Sequence, residues 1–539
     1  MPATDADWAE ASRSDPSRRD SARTTTRPQE LRLGASGAAV VALQQQLIAL
    51  GFLAGAADGV FGAGTAQALR DLQRRLLLRP DGVLGPRTQA ALAAPPASLP
   101  SSPYRDLVLQ AETLAATGEA SDEKLPILDR GLAASPFHRE PPAAAQRLQA
   151  RLPAAVLQPY PDRHHTLAPY PPHGVVPAIL SGHEGRGGLA FLSDAVSQAC
   201  LCIGSHGLDQ PLRVRWYGRR ALEDHVQFWS ATKFIAGLHV VCQANRRSPG
   251  TPIDTTAVHP CDGTAPQPFA ALFKAMVDYQ PPAGQTTVGG EPADLGDGST
   301  ASNGLDGREG SGHEEEDADG GGSNRIGYLF KLLGNREEPD LQTWMQRLSG
   351  NPRSQLLGWY GQWRTAAHRW KAGAELRGPG GVLVAHRRPP RNRNLVSAYD
   401  LVRMLTLLGW HPQLPPDGRL PGAQWHSLAT LVEGLGHDTA RYLDVALERL
   451  GLLEAVAEPV ILSKLGYGAE TGDPAIDALT YVAFASFQDI RHRPARQRCF
   501  CLALRIPTAA GLSTALDHDA RMAAEVSEIV RRIFAEELG

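Results

Sequence analysis

One phrase occurs twice near the start of the chain and limits what its neighbours can become: ADGVFGAGT at 57–65 and PDGVLGPRT at 80–88. Asp-Gly is a turn signal, because glycine takes the left-handed backbone freely and aspartate can bond its own main chain. Each phrase continues with a glycine and, three residues on, a threonine (Gly62 and Thr65, Gly85 and Thr88), and each threonine is a candidate helix N-cap. The flanking text is helical. Val40, Leu43, Leu47 and Leu50 recur at helical spacing before the first turn, and Ala68, Leu69, Leu72 and Leu76 between the two. A third helix is expected over Thr88–Ala94. Residues 29–95 therefore predict a small three-helix unit with two similar halves.

The 539 residues allow two to four domains. Hydrophobic content is 42% and formal charge −3, which fits a globular protein and argues against nucleic-acid binding through bulk positive charge. No apolar run is long enough to span a membrane. Residues 1–28 are polar, mix both charge signs and lack the apolar core of a secretion signal, so they are expected to be disordered. Residues 96–185 are rich in Pro and Ala, with a helical stretch at Tyr104–Ala134 and a Pro-rich linker after it. A large domain is expected over 186–539. It is interrupted at 281–324 by ten acids, twelve glycines and one arginine, which predicts a disordered insert; the remaining chain carries +6.

Within the large domain, QACLCIGSH and LRVRWYG read as strands, preceded by a helix at Gly188–Ser197. PVILSKLGYG, LTYVAFASFQD and RCFCLALRIP read as three more strands, followed by an amphipathic helix at Ala515–Leu538. Four of the six cysteines, Cys200, Cys202, Cys499 and Cys501, alternate on such strands and are expected to be buried thiols. In FWSATKFIAGLHVVC, Phe234, Leu238, Val241 and Cys242 form one helical stripe. Ser230 and Lys233 are three apart, one turn from each other on a helix face. A lysine held near a serine hydroxyl in a partly dry site can lose its proton and act as base. An isolated Ser-x-x-Lys is common by chance, so its context decides its meaning.

Two resemblances supply context. The pattern LRxGxxGxxVxxLQ…DGxFGxxTxxALxxLQ…PDGxLGPxT resembles the peptidoglycan-binding type 1 domain. This implies peptidoglycan as partner, with Asp58, Gly59, Asp81 and Gly82 as candidate substrate-binding positions. The order of the large domain is two strands, Ser-x-x-Lys on a helix, a helical region with SAYDLVRMLTLLG, a Lys-x-Gly strand, two more strands and a closing helix. It resembles the class A β-lactamase and penicillin-binding DD-peptidase superfamily. The resemblance implies an α/β (α+β) domain with a five-stranded antiparallel sheet and a helical lobe, with QACLCIG beside RCFCLAL. It implies Ser230 as acylated nucleophile and Lys233 as base. Ser323 or Asn324 would stand at the Ser-x-Asn motif, and Lys464 and Gly466 at the Lys-Thr-Gly motif. No metal or cofactor is implied, and β-lactams join peptidoglycan as candidate ligands.

The match departs from the family in places. Gly322 stands where Ser-x-Asn begins if Asn324 is its asparagine, and a shift of one residue would let Ser323 serve. Leu465 replaces the hydroxyl of Lys-Thr-Gly, and no Glu-x-x-Leu-Asn is legible between Asn335 and Asn394, where Glu375 has unrelated neighbours. The basic run His386–Arg393 reads as a solvated loop or an anionic-substrate rim, and His164-His165 has no partner at metal-ligand spacing. Two readings stay open: a wall-targeted serine acyl-transfer hydrolase, and a non-catalytic peptidoglycan-binding scaffold. The resemblances imply the cell envelope, while the lack of a legible signal leaves the cytoplasm open.

Overall fold

The computed structural model describes residues 30–49, 52–53, 55–75, 81–92, 132–162, 165–181, 188–260, 265–280, 321–334, 339–358, 360, 374–385, 393–470, 473–509 and 515–538. Residues 1–28, nearly all of the Tyr104–Ala134 stretch, 281–320 and 386–392 lie outside them. The chain divides into two units, one from residues 1–73 and 80–99 and one from the remainder.

In the first unit, α1 (Ala38–Ala49), α2 (Ala63–Arg75) and α3 (Pro86–Leu92) form where the apolar spacing predicts. Val40, Leu43, Leu47, Phe61, Leu69 and Leu72 make the core. Thr65 and Thr88 are not N-caps. The helices begin two residues earlier, and both threonines are buried in the first turn, where their hydroxyls meet glutamine side chains.

The second unit is α+β. Five long strands, β1 (Gln198–Ser205), β2 (Arg213–Arg219), β3 (Val456–Glu470), β4 (Asp473–Asp489) and β5 (Ala495–Ala509), run antiparallel in the order β3-β4-β5-β1-β2. Cys202 lies opposite Cys501, as the implied neighbourhood of the first and last strands requires. The expectation of five strands is too low, because among the described residues the sheet has eight. Leu157-Gln158 pairs with β5, and Ala168-Pro169 and Ile179–Ser181 both pair with β2. These additions come from the segment that reads as Pro-rich linker. Two or three residues are too short to show a strand period.

Both faces of the sheet are buried. Alternate residues such as Cys200, Cys202, Phe484 and Cys501 face a core shared with the helical region. Leu201, Ile203, Tyr481, Phe500 and Leu502 face a second core with the Tyr442–Arg449 helix and the closing Ala515–Phe534 helix. Cys200, Cys202, Cys499 and Cys501 are free and buried, and burial raises their pKa values.

Residues 188–197 are turns and not the expected helix. The Arg219 guanidinium takes the carbonyls of Leu189 (3.2 Å), Leu192 (2.7 Å) and Val196 (3.3 Å), replacing helical hydrogen bonds with side-chain ones. The acidic segment also ends earlier than expected, since a helix starts at Gly321 and includes residues 321–324. Farther on, Ala398–Gly409 is helical under a full capping box. Ser397 Oγ accepts from the Asp400 N–H, and the Asp400 carboxylate accepts from the Ser397 N–H at 2.9 Å.

Candidate active site

Ser230 lies in a short 3-10 turn, Trp229–Thr232, that feeds the Lys233–Arg247 helix. Residues 233–245 of that helix are all buried, so its predicted stripe is one part of an element enclosed on every side. Ser230 itself is half-buried, and its carbonyl accepts the Lys233 N–H. Trp229 before it takes φ +48°, a left-handed conformation that costs a bulky residue about 1–3 kcal/mol. The surroundings hold that geometry. The Thr232 hydroxyl donates to the Trp229 carbonyl at 2.9 Å, and Thr480 Oγ1 lies 2.9 Å from both the Phe228 and Gly466 carbonyls, joining the turn to β3 and β4.

β3 passes close to this turn because Gly466 has no side chain. A Cβ there would stand 2.5 Å from Phe228 O and 2.7 Å from Ala231 N. Two residues before it, Lys464 is fully buried. Its ammonium lies 3.5 Å from Asp438 Oδ1 and donates to Tyr279 Oη at 2.8 Å and to the Val277 carbonyl at 3.3 Å. Asp438 is held in turn by the Ser463 hydroxyl at 2.9 Å. Burial works against the Lys464 charge, but Tyr279 and Asp438 outweigh it and hold its pKa above the ordinary lysine value. Leu465, at the hydroxyl position of the motif, is half-buried against the core on the closing-helix side of the sheet.

Lys233 is also fully buried, and its ammonium nitrogen donates to Ser323 Oγ at 2.8 Å. The Ser323 hydroxyl donates onward to the Met276 carbonyl at 2.7 Å. The helix that carries Ser323, Gly321–Gly334, comes close because Gly327 faces the Lys233 stem, where a Cβ would meet Cγ at 3.0 Å. Burial first, then the positive charges of Lys464 and Lys331, depress the Lys233 pKa well below the ordinary value. Ser323 is therefore the member of the Ser323-Asn324 pair placed against Lys233, and Asn324 follows it on the helix, half-buried. Glu375 lies in another sheet, on the Ala374–Gly378 strand, with Arg377 Nε at 2.8 Å.

Three residues in this region escape sequence reading. Tyr279, Tyr360 and Lys331 form a row with the two motif lysines. Lys464 lies 4.0 Å and Lys233 5.8 Å from the Tyr279 ring, and Lys233 lies 5.4 Å and Lys331 4.0 Å from the Tyr360 ring. They come from separate segments, and no local pattern marks them.

In the first unit the four turn residues bond inward. Gly59 and Gly82 have φ +74° and +71°, and their N–H groups donate at 2.8 Å to the side-chain oxygens of buried Gln44 and Gln73. The Gln44 amide nitrogen reaches Asp58 Oδ1 (2.7 Å), the Val60 carbonyl (3.1 Å) and Thr65 Oγ1 (3.0 Å). Gln73 does the same with Asp81 (2.9 Å), Val83 (3.0 Å) and Thr88 (3.2 Å). A repeated Leu-Gln before each turn is the signal that could have found them. Hydrogen bonds from the Val60 N–H and from Gln44 lower the Asp58 pKa. Among the described residues no cluster of three or more His, Cys, Asp or Glu could hold a metal, and no helix is long and apolar enough to cross a membrane.

Comparison with known proteins bears on the first unit. Residues 36–92 match the family described as "Putative peptidoglycan binding domain". N-acetylmuramoyl-L-alanine amidase CwlL of Bacillus licheniformis is 47% identical over 66 residues, 12% of this chain and 18% of that protein. The spore cortex-lytic enzyme of Bacillus cereus is 45% identical over 64 residues, 12% of this chain and 25% of that protein. The chain thus spans a quarter or less of these relatives. A β-lactamase structure from Xanthomonas campestris overlaps 63% of this chain and 92% of its own, at 14% identity and TM-score 0.31. A peptidoglycan synthetase structure from Bifidobacterium adolescentis overlaps 62% and 56%, at 9% identity and TM-score 0.21. Likenesses this distant are no evidence of a shared activity. The chain carries a peptidoglycan-binding domain at residues 36–92.

Proposed function

We propose that the second unit is a serine acyl-transfer hydrolase of β-lactamase and penicillin-binding type. It acts on peptidoglycan peptide or β-lactam amide bonds and is held at the wall by residues 36–92. The observation that carries this reading is Lys233: buried, hydrogen-bonded to a serine hydroxyl, its pKa depressed, and one turn from half-buried Ser230. A lysine disfavoured in its charged form there can accept the Ser230 proton as Oγ attacks a carbonyl, and Ser323 can pass a proton toward the leaving nitrogen. Lys464, charged and beside the same turn, suits a substrate carboxylate. The Trp229 backbone and the close fit of Gly466 fit a turn built to present one side chain.

A second reading, a non-catalytic wall-binding scaffold, is favoured by Leu465 in place of a hydroxyl and by the partners that already satisfy Lys464: Asp438, Tyr279 and the Val277 carbonyl. Intact-mass measurement after incubation with a fluorescent penicillin separates the two. The enzyme reading expects one adduct on the wild-type chain and none on Ser230→Ala. A folded wild-type chain that takes no label leaves the scaffold.

A further inference from the structure

Lys331 belongs to none of the sequence motifs, yet it is 2% exposed. Its ammonium donates to the Gly358 carbonyl at 2.9 Å and to Asn394 Oδ1 at 2.6 Å, and stands 4.0 Å from the centroid of the Tyr360 ring. Among the described residues no carboxylate pairs with it. Two carbonyl oxygens and an aromatic face form a site for a cation, and an unpaired buried charge is costly enough that an apolar residue would serve mere packing better. The same ring lies 5.4 Å from Lys233, and the Tyr360 hydroxyl is 3.0 Å from Thr232 Oγ1, in the turn that carries Ser230.

We propose that Lys331 is a positioning residue for the Ser230–Lys233 pair: a second buried cation that shares the Tyr360 ring with Lys233, repels positive charge there and keeps Lys233 oriented toward Ser323. This rests on the acyl-transfer reading. Among the described residues, the charged and titratable groups facing Lys233 are Lys331, Lys464, Tyr279 and Tyr360, with Asp438 behind Lys464 offsetting the Lys464 charge. Lys464 acts the more strongly on Lys233, and Lys331 adds to it. Burial lowers the Lys331 pKa as well, while hydrogen bonds to two carbonyl oxygens and an aromatic face favour the charged form. The sign follows from repulsion: a cation beside Lys233 disfavours its protonated form, so removing that cation raises the pH at which Lys233 loses its proton.

The test uses the full chain as wild type, Lys331→Met and Lys331→Arg, with the rate of penicillin adduct formation followed against pH. Lys331→Met is expected to move the acid limb to higher pH by about one unit, so that labelling below the wild-type midpoint falls about tenfold, while Lys331→Arg retains the wild-type midpoint. A rate lowered equally at every pH, with the midpoint unmoved in Lys331→Met, would mean that Lys331 only supports the fold and would overturn the proposal. The carbon-13 NMR titration of the Lys233 side chain, assigned with Lys233→Met, is read on the same proteins without penicillin. There the same upward shift is expected even if no adduct forms. An adduct-free protein with that shift sinks the acyl-transfer reading alone, and an unshifted titration sinks the role of Lys331 alone.

Discussion

Gly466 shows how little room a single position leaves. Its absent side chain lets β3 lie against the Ser230 turn, where an added methyl would stand within 2.7 Å of two backbone atoms. Overpacking of this kind costs about 1–3 kcal/mol, and here the strain would fall on the turn that presents Ser230. Gly466→Ala is therefore expected to slow penicillin labelling at least about tenfold with far-UV circular dichroism unchanged. Labelling at the wild-type rate would show that the contact does not matter. At the same scale, the acyl group on Ser230 is expected to persist. Attack by water needs a second positioned base, and the glutamate motif that supplies one in class A β-lactamases is not legible in this sequence; losing such a base costs about 10²–10⁴-fold. Fast steady-state hydrolysis of a chromogenic cephalosporin would count against this.

Among the elements, the two Asp-Gly turns of the first unit are held by a glutamine on the preceding helix. Gln44 engages a backbone N–H, a carbonyl, a carboxylate and a hydroxyl at once, and Gln73 repeats the pattern. Removing the amide leaves the buried Gly59 N–H and the Thr65 hydroxyl short of a partner, at about 1–3 kcal/mol. Calorimetry of Gln44→Leu in the full chain should show the transition of the first unit lowered or lost and that of the second unchanged. Co-sedimentation with bacterial wall sacculi should weaken with it. A variant with wild-type transitions and wild-type sedimentation would refute the structural role of the glutamine.

For the whole second unit, the end of the chain is tied to the sheet by charge. Arg498 donates to Asp489 at 2.9 and 3.1 Å and to Glu536 at 3.0 Å; Arg491 adds a two-point contact to Asp489, and Arg496 pairs with Glu536. Arg215 and Tyr217 hold the Leu538 carbonyl. Burial raises the pKa values of Asp489 and Glu536, but the arginines outweigh it and both lie below their ordinary values. A carboxylate with a depressed folded pKa contributes stability above its unfolded pKa, near 4, and loses that contribution as pH falls through the folded value. The melting temperature is therefore expected to fall on acidification below about pH 4. In Asp489→Asn, already less stable at pH 7, the fall should be shallower. Parallel acid profiles in the two proteins would exclude Asp489 as a contributor.

Period and turn chemistry alone marked much of this protein: the Asp-Gly turns, the apolar stripes of α1 and α2, the five long strands, and the helix that begins after Ser230. These are local properties, set by how neighbouring residues share a helix face or alternate across a sheet. The Ser230–Lys233 pair was legible for the same reason, one turn being a fixed distance. Ser323 was legible only as one of two alternatives with Asn324, since ninety residues separate it from Lys233 and a one-residue register decides which side chain arrives. Arg219 undid a plausible helix from outside it. Tyr279, Tyr360 and Lys331 entered the site from segments with no pattern of their own. Side chains that converge from distant segments depend on how the elements pack, and it was that packing, more than any motif, that buried three lysines around two tyrosine rings and left Asp438 beside only one of them.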